Sequence, residues 1–377
     1  MASSSAVSLP ILHVRGNYYD VGYHTGSTFQ NRIKSFYQRS LLVQEKLLPF
    51  YSQRRGREIA EVYLRGARDN FPKLIREIQG LADGVGMSFE DIFILNIAKE
   101  VYNCHFNEMK SWPPESDNLG CSDIMVNTPA VKLIAHNEDC DPESKNFGFM
   151  VSAHIIEDST EEKFTAFSYP GSLPGNTFAF NKHGMIFACN GLYPKTALLG
   201  ATPRYFLNRC MMAATTADHA LEIGKNVGGG CAVGFNLNIG NWKNPQDMWG
   251  LEIGPGKNES MVHLHTFHEQ TNECDSPSYV HTNNYKHLHV EEMDNLSSTI
   301  ARMKRILEFK APSTAQEVKT ILGDTQNAEY PIYRTPSATD IGKTVATALF
   351  DLKERQMELY LDNPKFAQSP VFALPLV

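Results

Sequence analysis

The chain has 377 residues, of which 42 % are hydrophobic and 20 % charged, with a formal net charge of −7 at pH 7. That is a globular composition, long enough for one large domain or two ordinary ones, and an acidic balance without a long basic run disfavours nucleic acid and anionic membrane surfaces as partners. Residues 1–20 lack the basic and apolar regions of a secretory signal, and no stretch approaches the roughly 18 apolar residues of a membrane span, so a soluble, cytoplasmic protein is expected.

In chain order, a short strand at 11–14 precedes a mostly helical region that runs to about residue 117. Val21, Phe29, Ile33, Phe36 and Tyr37 follow helical spacing, as do Leu74, Ile75, Ile78 and Leu81. Ser88, Phe89, Glu90 and Asp91 resemble a capping box that opens a further helix. The segment 110–118, KSWPPESDN, is polar with two prolines, and helix cannot continue through it. Short runs rich in β-branched and aromatic residues then predict strands over 121–127, 131–137, 148–156, 163–169, 176–181 and 184–190, with NKHG at 181–184 as a hairpin turn. A helix is expected over 204–223, then strands over 231–239, 248–253, 260–266 and 278–283, helices over 294–310 and 314–322, and strands over 344–351 and 355–361. Strands and helices are grouped rather than alternating, which points to an α+β protein with antiparallel sheets layered against helices.

The seven cysteines are scattered, odd in number and without a C-x-x-C pair, so reduced thiols are expected. Cys121 stands out because it follows a glycine, opens a predicted strand and lies just after the polar break. A thiol needs a base, and an internal cysteine normally uses a histidine. One alternative needs no histidine. If the Gly120–Cys121 bond is cut, the new α-amino group, with an ordinary pKa of roughly 7.7–8.0, is a base within reach of its own sulfur. The same thiol can make the cut by attacking the Gly120 carbonyl, with water hydrolysing the resulting thioester, and glycine permits backbone torsions that a side chain would forbid.

Glycine-cysteine at a strand start, an aspartate in HNED at 136–139, VHTNN at 280–284 and GKTVATALFD at 342–351 together resemble the autoproteolytic cysteine acyltransferases and hydrolases that include the penicillin acyl-transferring enzyme. Five further segments, at 17–29, 70–84, 173–187, 202–209 and 351–364, are similar in order to a branch of that family that hydrolyses β-alanyl-dopamine. The resemblance covers essentially the whole chain. It implies an N-terminal nucleophile fold, an αββα sandwich of two stacked antiparallel sheets, with self-cleavage into 1–120, a helical small subunit, and 121–377, which carries the catalytic core; the two pieces stay together as a heterodimer. It further implies Cys121 as nucleophile, Asn283 as oxyanion-hole donor and Asp139 as the carboxylate that orients the new amino group. The family's arginine near this aspartate has no clean counterpart in the sequence; Lys343 is the first candidate and Arg334 the fallback.

Beside these stand plainer readings: Asp139 as a turn residue, Asn283 as a strand-end cap, Lys343 as a solvated cation. Asn190 and Glu252, at the ends of strands expected to feed one edge, are pocket candidates. His263, His265 and His268 place two imidazoles on one strand face, but no thiol or carboxylate accompanies them in sequence, so no metal and no cofactor is expected. The leading function is an amidohydrolase that passes the acyl group of a small N-acyl amine, the β-alanyl amide of dopamine or histamine, to Cys121 and then to water. Its competitors are an acyltransferase fed by an acyl thioester, for which no nucleotide cradle is visible, and a processed binding protein without catalysis.

Overall fold

The computed structural model describes residues 9–101, 120–272, 275–294, 296–336 and 342–377. The proline-bearing break at 110–118 lies outside the described residues. Two sheets form the centre. Eight strands make the first, in the order β1 (Ile11–Gly16), β4 (Phe149–Glu157), β5 (Thr160–Ser168), β6 (Phe178–Asn181), β7 (Met185–Leu192), β8 (Gly234–Asn241), β9 (Met248–Gly254) and β10 (Met261–Phe267). Six make the second: β11 (Ser278–His281), β2 (Cys121–Asn127), β3 (Lys132–Cys140), β12 (Lys343–Asp351), β13 (Gln356–Tyr360) and β14 (Phe372–Pro375).

Period-two alternation assigns the faces. Met150, Ile186 and Phe178 of the first sheet meet Ile134, Ala348 and Phe350 of the second between the sheets. Their neighbours Val151 and Phe187 face outward, onto Tyr18, Ile33, Ile78, Ile92 and Phe206. On the far side, Leu133, Ala135 and Leu349 pack against Ile306, Val318 and Ile321. The helices above the first sheet include α1 (Tyr18–Thr28), α2 (Gln30–Arg39), α3 (Leu48–Ser52), α4 (Arg54–Asn70), α5 (Pro72–Val85) and α6 (Phe89–Asn96), and the second sheet is covered by α10 (Ser297–Leu307) and α11 (Ala315–Leu322). The arrangement is therefore the expected αββα sandwich. No described helix is long and apolar enough to cross a membrane.

Four details depart from the expectation. The pairing of β1 with β4 is parallel, the exception in otherwise antiparallel sheets. The predicted helix over 204–223 is two, α8 (Arg204–Met211) and α9 (Ala217–Asn226), because the Thr216 side chain accepts from His219 N–H and starts a new N-terminus. The turn-like run after Cys140 is a short helix, α7 (Pro142–Phe147), opened by Asp141 as cap and by proline in its first turn. The edge strand β14 was not legible, since its four residues end in proline.

Residues before and after Gly120 are knitted together. Six register pairs join β1 to β4. Buried Arg209 on α8 donates to Glu77 of α5 at 3.0 Å and to Glu162 of β5 at 2.9 Å, and Tyr18 OH also donates to Glu162. Asn96 donates to Gly171 O at 3.0 Å and accepts from Leu173 N–H at 2.7 Å.

Within the helical layer, α1 and α5 touch backbone to backbone. A Cβ on Gly22 would lie 2.0 Å from Glu77 O, and one on Gly80 2.1 Å from Tyr19 O. Gly22→Ala is therefore expected to lower stability by about 3 kcal/mol, the upper end of what overpacking costs. Gly66→Ala on α4, where the nearest atom is 3.5 Å away, should instead gain up to about 1 kcal/mol from helix propensity. Urea unfolding of the two variants checks the contrast.

Candidate active site

At one end of the sandwich the inner layer turns polar. Strands β2 and β3 form a hairpin in which Cys121 pairs with Glu138 and Asp123 with His136, so all four side chains share the face between the sheets. The Cys121 thiol donates to Glu138 Oε2 at 4.0 Å. His136 Nε2 bonds the same oxygen at 2.9 Å, and its Nδ1 bonds Asp123. Tyr169 OH donates to the other oxygen of Glu138. Asn238 of β8 reaches across from the first sheet to Asp123, and also donates to Asn190 Oδ1 at 2.8 Å.

Burial pushes the Cys121 thiol up, and the Glu138 carboxylate adds to it. Burial opposes charge on His136, but the Asp123 carboxylate and the hydrogen bonds around the ring outweigh it, so the imidazole is held well above its usual value. The row therefore favours the charged form of the imidazole between Asp123 and Glu138 and the neutral form of the thiol beside them.

The outer face of the same strands carries a second group. Asp139 N–H donates to Gly120 O at 2.8 Å, while Asp139 Oδ1 accepts from Thr344 Oγ1 at 2.6 Å. Its Oδ2 has no hydrogen-bond partner among the described residues. Burial raises the Asp139 carboxyl to about 6, against the pull of Arg334 and then Arg302. Cys121 N–H donates to Asn283 Oδ1 at 2.9 Å. The fully buried Arg302 of α10 donates to that same oxygen at 2.8 Å, to Ser122 Oγ at 2.7 Å and to Cys121 O. Asn283 Nδ2 donates to Gly191 O at 2.9 Å. Two donors on one side and a carbonyl on the other fix the orientation of this amide.

Gly120 is required for a reason other than backbone freedom. It is not among the glycines at positive φ, but a Cβ there would lie 2.2 Å from Asn283 Oδ1 and 2.7 Å from an Arg302 nitrogen. Beside Cys121 lies a small cavity bounded by Glu138, Tyr169, Tyr193, Arg204, Tyr205 and Lys99. Lys99 precedes Gly120, so both parts of the chain wall the cavity.

The structure thus brings Cys121, Gly120, Asp139 and Asn283 together. It does not bring Lys343. That residue pairs with Cys140, on the opposite face from its neighbour Thr344, and its charged surroundings are Lys145, Asp362 and Glu143. Arg334 and Arg302 hold the cationic positions at Asp139. Asn190 is fully buried within the amide chain behind Asp123 and does not bound the cavity. Glu252 is an anchor: it accepts from the N–H groups of Lys286, His287 and Leu288 at 2.6–3.0 Å, and His281 beside it helps hold its carboxyl at about 2. Of the three surface histidines, His263 and His265 stack on His287 at 4.8 and 4.6 Å and His268 bonds Asp247, so their rings do not converge on one point. Cys121, His136 and Glu138 do place three donor atoms within 4.8 Å of one another, a set that could hold a cation, although hydrogen bonds already link them.

The chain is similar to known proteins over most of its length. The family model described as acyl-coenzyme A:6-aminopenicillanic acid acyl-transferase matches residues 126–366. A Drosophila melanogaster protein named beta-alanyl-dopamine/carcinine hydrolase is 33 % identical over 384 aligned positions, covering 98 % of this chain and 97 % of that protein. A solved penicillin V acylase from Agrobacterium tumefaciens aligns at 9 % identity with a TM-score of 0.37, over 66 % of this chain and 84 % of its own, a likeness too distant to assign anything.

In the intact chain, kept so by Cys121→Ala, carbon-13 titration should place the Asp139 midpoint near 6. Removing a cation that favours the carboxylate must raise that midpoint. Arg334→Gln is accordingly expected to move it upward, and Lys343→Gln to leave it in place; the reverse pattern would return the basic role to Lys343.

Proposed function

The chain belongs to the acyl-coenzyme A:6-aminopenicillanic acid acyl-transferase family, and from that premise we infer a self-processing cysteine amidohydrolase that cleaves β-alanyl amides of biogenic amines. The observation that carries this reading is the clamp on one peptide bond. Gly120 O sits on Asp139 N–H, Cys121 N–H sits on Asn283 Oδ1, and the adjacent thiol faces a cavity.

Processing leaves Cys121 as an amino terminus. Its amine then has Asn283 Oδ1 on one side and the unpartnered Asp139 Oδ2 as a further acceptor, which orients its lone pair toward the sulfur. The thiolate attacks the substrate carbonyl, and the second hydrogen of Asn283 Nδ2 is the donor for the oxyanion. The protonated amine gives its proton to the leaving biogenic amine. Water then hydrolyses the β-alanyl thioester, releasing β-alanine and the free enzyme. The relative's name supplies the substrate class; the tyrosines and Arg204 that bound the cavity are suited to an aromatic amine.

Intact-mass measurement of purified protein, followed by incubation with β-alanyl-dopamine and carcinine, tests processing and substrate together. Two masses split at Gly120 and release of β-alanine are expected; an uncut chain that turns over neither compound ends the reading. Cys121→Ala should abolish both cleavage and turnover, and Cys121→Ser should cleave slowly with severely reduced hydrolysis, because a hydroxyl ionises far less readily than a thiol. For Asn283→Ala, kcat normalised to processed chain should fall by roughly 10² with little change in KM. A rise in KM alone would make Asn283 a binding residue.

A further inference from the structure

Before the Gly120–Cys121 bond is cut, the nitrogen of Cys121 is an amide, without basicity and with its N–H held by Asn283 Oδ1 at 2.9 Å. The base assigned to turnover therefore does not exist when the first attack must occur. Some other group has to accept the thiol proton. The geometry points to Glu138 as that acceptor in self-cleavage, with the Asp123–His136 pair holding its carboxylate against the sulfur. This inference rests on the self-processing reading above.

Three observations carry it. Glu138 Oε2 is the atom to which the thiol donates, at 4.0 Å, and cross-strand register sets that contact, since Cys121 and Glu138 are directly opposed in the β2–β3 hairpin. The carboxylate is fixed on both oxygens, by Tyr169 on one and His136 on the other, and His136 is itself fixed by Asp123. The side chains of Asp123, His136 and Glu138 are 1 %, 0 % and 5 % exposed, a costly burial that apolar residues of similar volume would avoid. The charge pattern agrees. A positive His136 beside Glu138 cannot itself take a proton, but it stabilises the thiolate that forms when Glu138 does. The other titratable groups facing Glu138 are Tyr169, Cys140, Tyr205, Cys189, Asp139 and Lys99. Burial keeps the first three in their neutral, protonated forms, so none of them competes for the proton.

The step balances as follows. The Sγ–H proton moves to Glu138 Oε2 as Sγ bonds to the carbonyl carbon of Gly120. The carbonyl electron pair goes to Gly120 O, which already accepts from Asp139 N–H at 2.8 Å. The same proton passes from Glu138 to the Cys121 nitrogen as the C–N bond breaks, leaving a thioester, a free α-amine and a carboxylate restored. One water hydrolyses the thioester to the Gly120 carboxylate and returns the thiol.

Cell-free synthesis of the full chain, sampled for cleavage over time at several pH values, tests this. Glu138→Gln keeps the shape and removes the base; cleavage should slow by about 10² or more, and its rate should climb steadily with pH as the thiol ionises unaided. Wild type should show no such climb across neutral pH. Glu138→Asp, which keeps a carboxylate, should cleave with a wild-type-shaped profile and covers the case in which Glu138→Gln fails to fold. Glu138→Gln cleaving at the wild-type rate, or slowly with an unchanged profile, would overturn the assignment, as would an aspartate variant that follows the climbing profile. A wild-type chain that never cuts sinks the self-processing reading itself, and this inference with it.

Discussion

The β2–β3 register is the constraint on which the site depends. With Cys121 opposite Glu138, a single hairpin sends the thiol, Asp123, His136 and Glu138 into the space between the sheets, and Ser122, Asn137 and Asp139 toward the covering helices. A slip of one residue would exchange the two sets and separate the sulfur from its carboxylate. The register is secured at both ends of the hairpin. The apolar half of the sandwich grips Met125 and Ile134, and Asn137 is tied outward, donating to Leu322 O at 2.8 Å and accepting from Thr347.

The peptide bond at the centre is thereby served from two faces. The inner face carries Cys121, His136 and Glu138, and the outer face carries Asp139, Asn283 and two guanidinium groups. Backbone atoms pass between them: the Asp139 N–H grips the Gly120 carbonyl, and Arg302 grips the Cys121 carbonyl. Such a division sets His136 between Asp123 and Glu138 on one face and Asp139 beside two guanidinium groups on the other, which matters where burial magnifies every interaction.

Much of this was legible in the sequence, and the illegible parts have physical causes. Alternation and turn chemistry placed most strands within a few residues, and Gly120–Cys121, Asp139 and Asn283 were visible through motif resemblance. Glu138 carries little signal because the sequence pattern ends the strand at 137, whereas β3 runs to Cys140 and puts Glu138 in the ladder. Lys343 lies inside the GKTVATALFD motif, yet strand alternation sends Thr344 to Asp139 and Lys343 away from it. Arg302 carried no signal at all: an arginine on an amphipathic helix reads as solvated, and only the tertiary fold buries it.

The parallel ladder between β1 and β4 and the ion pairs of Arg209 have a consequence for how such a protein comes apart. In an intact chain, unfolding is a unimolecular event. A chain cut after Gly120 is two polypeptides, and global unfolding also releases one from the other. Its midpoint then shifts with protein concentration by mass action, and dilution becomes a denaturant. The six-residue ladder and the buried guanidinium, joining the early segment to the later one, must replace what the covalent bond had supplied for nothing.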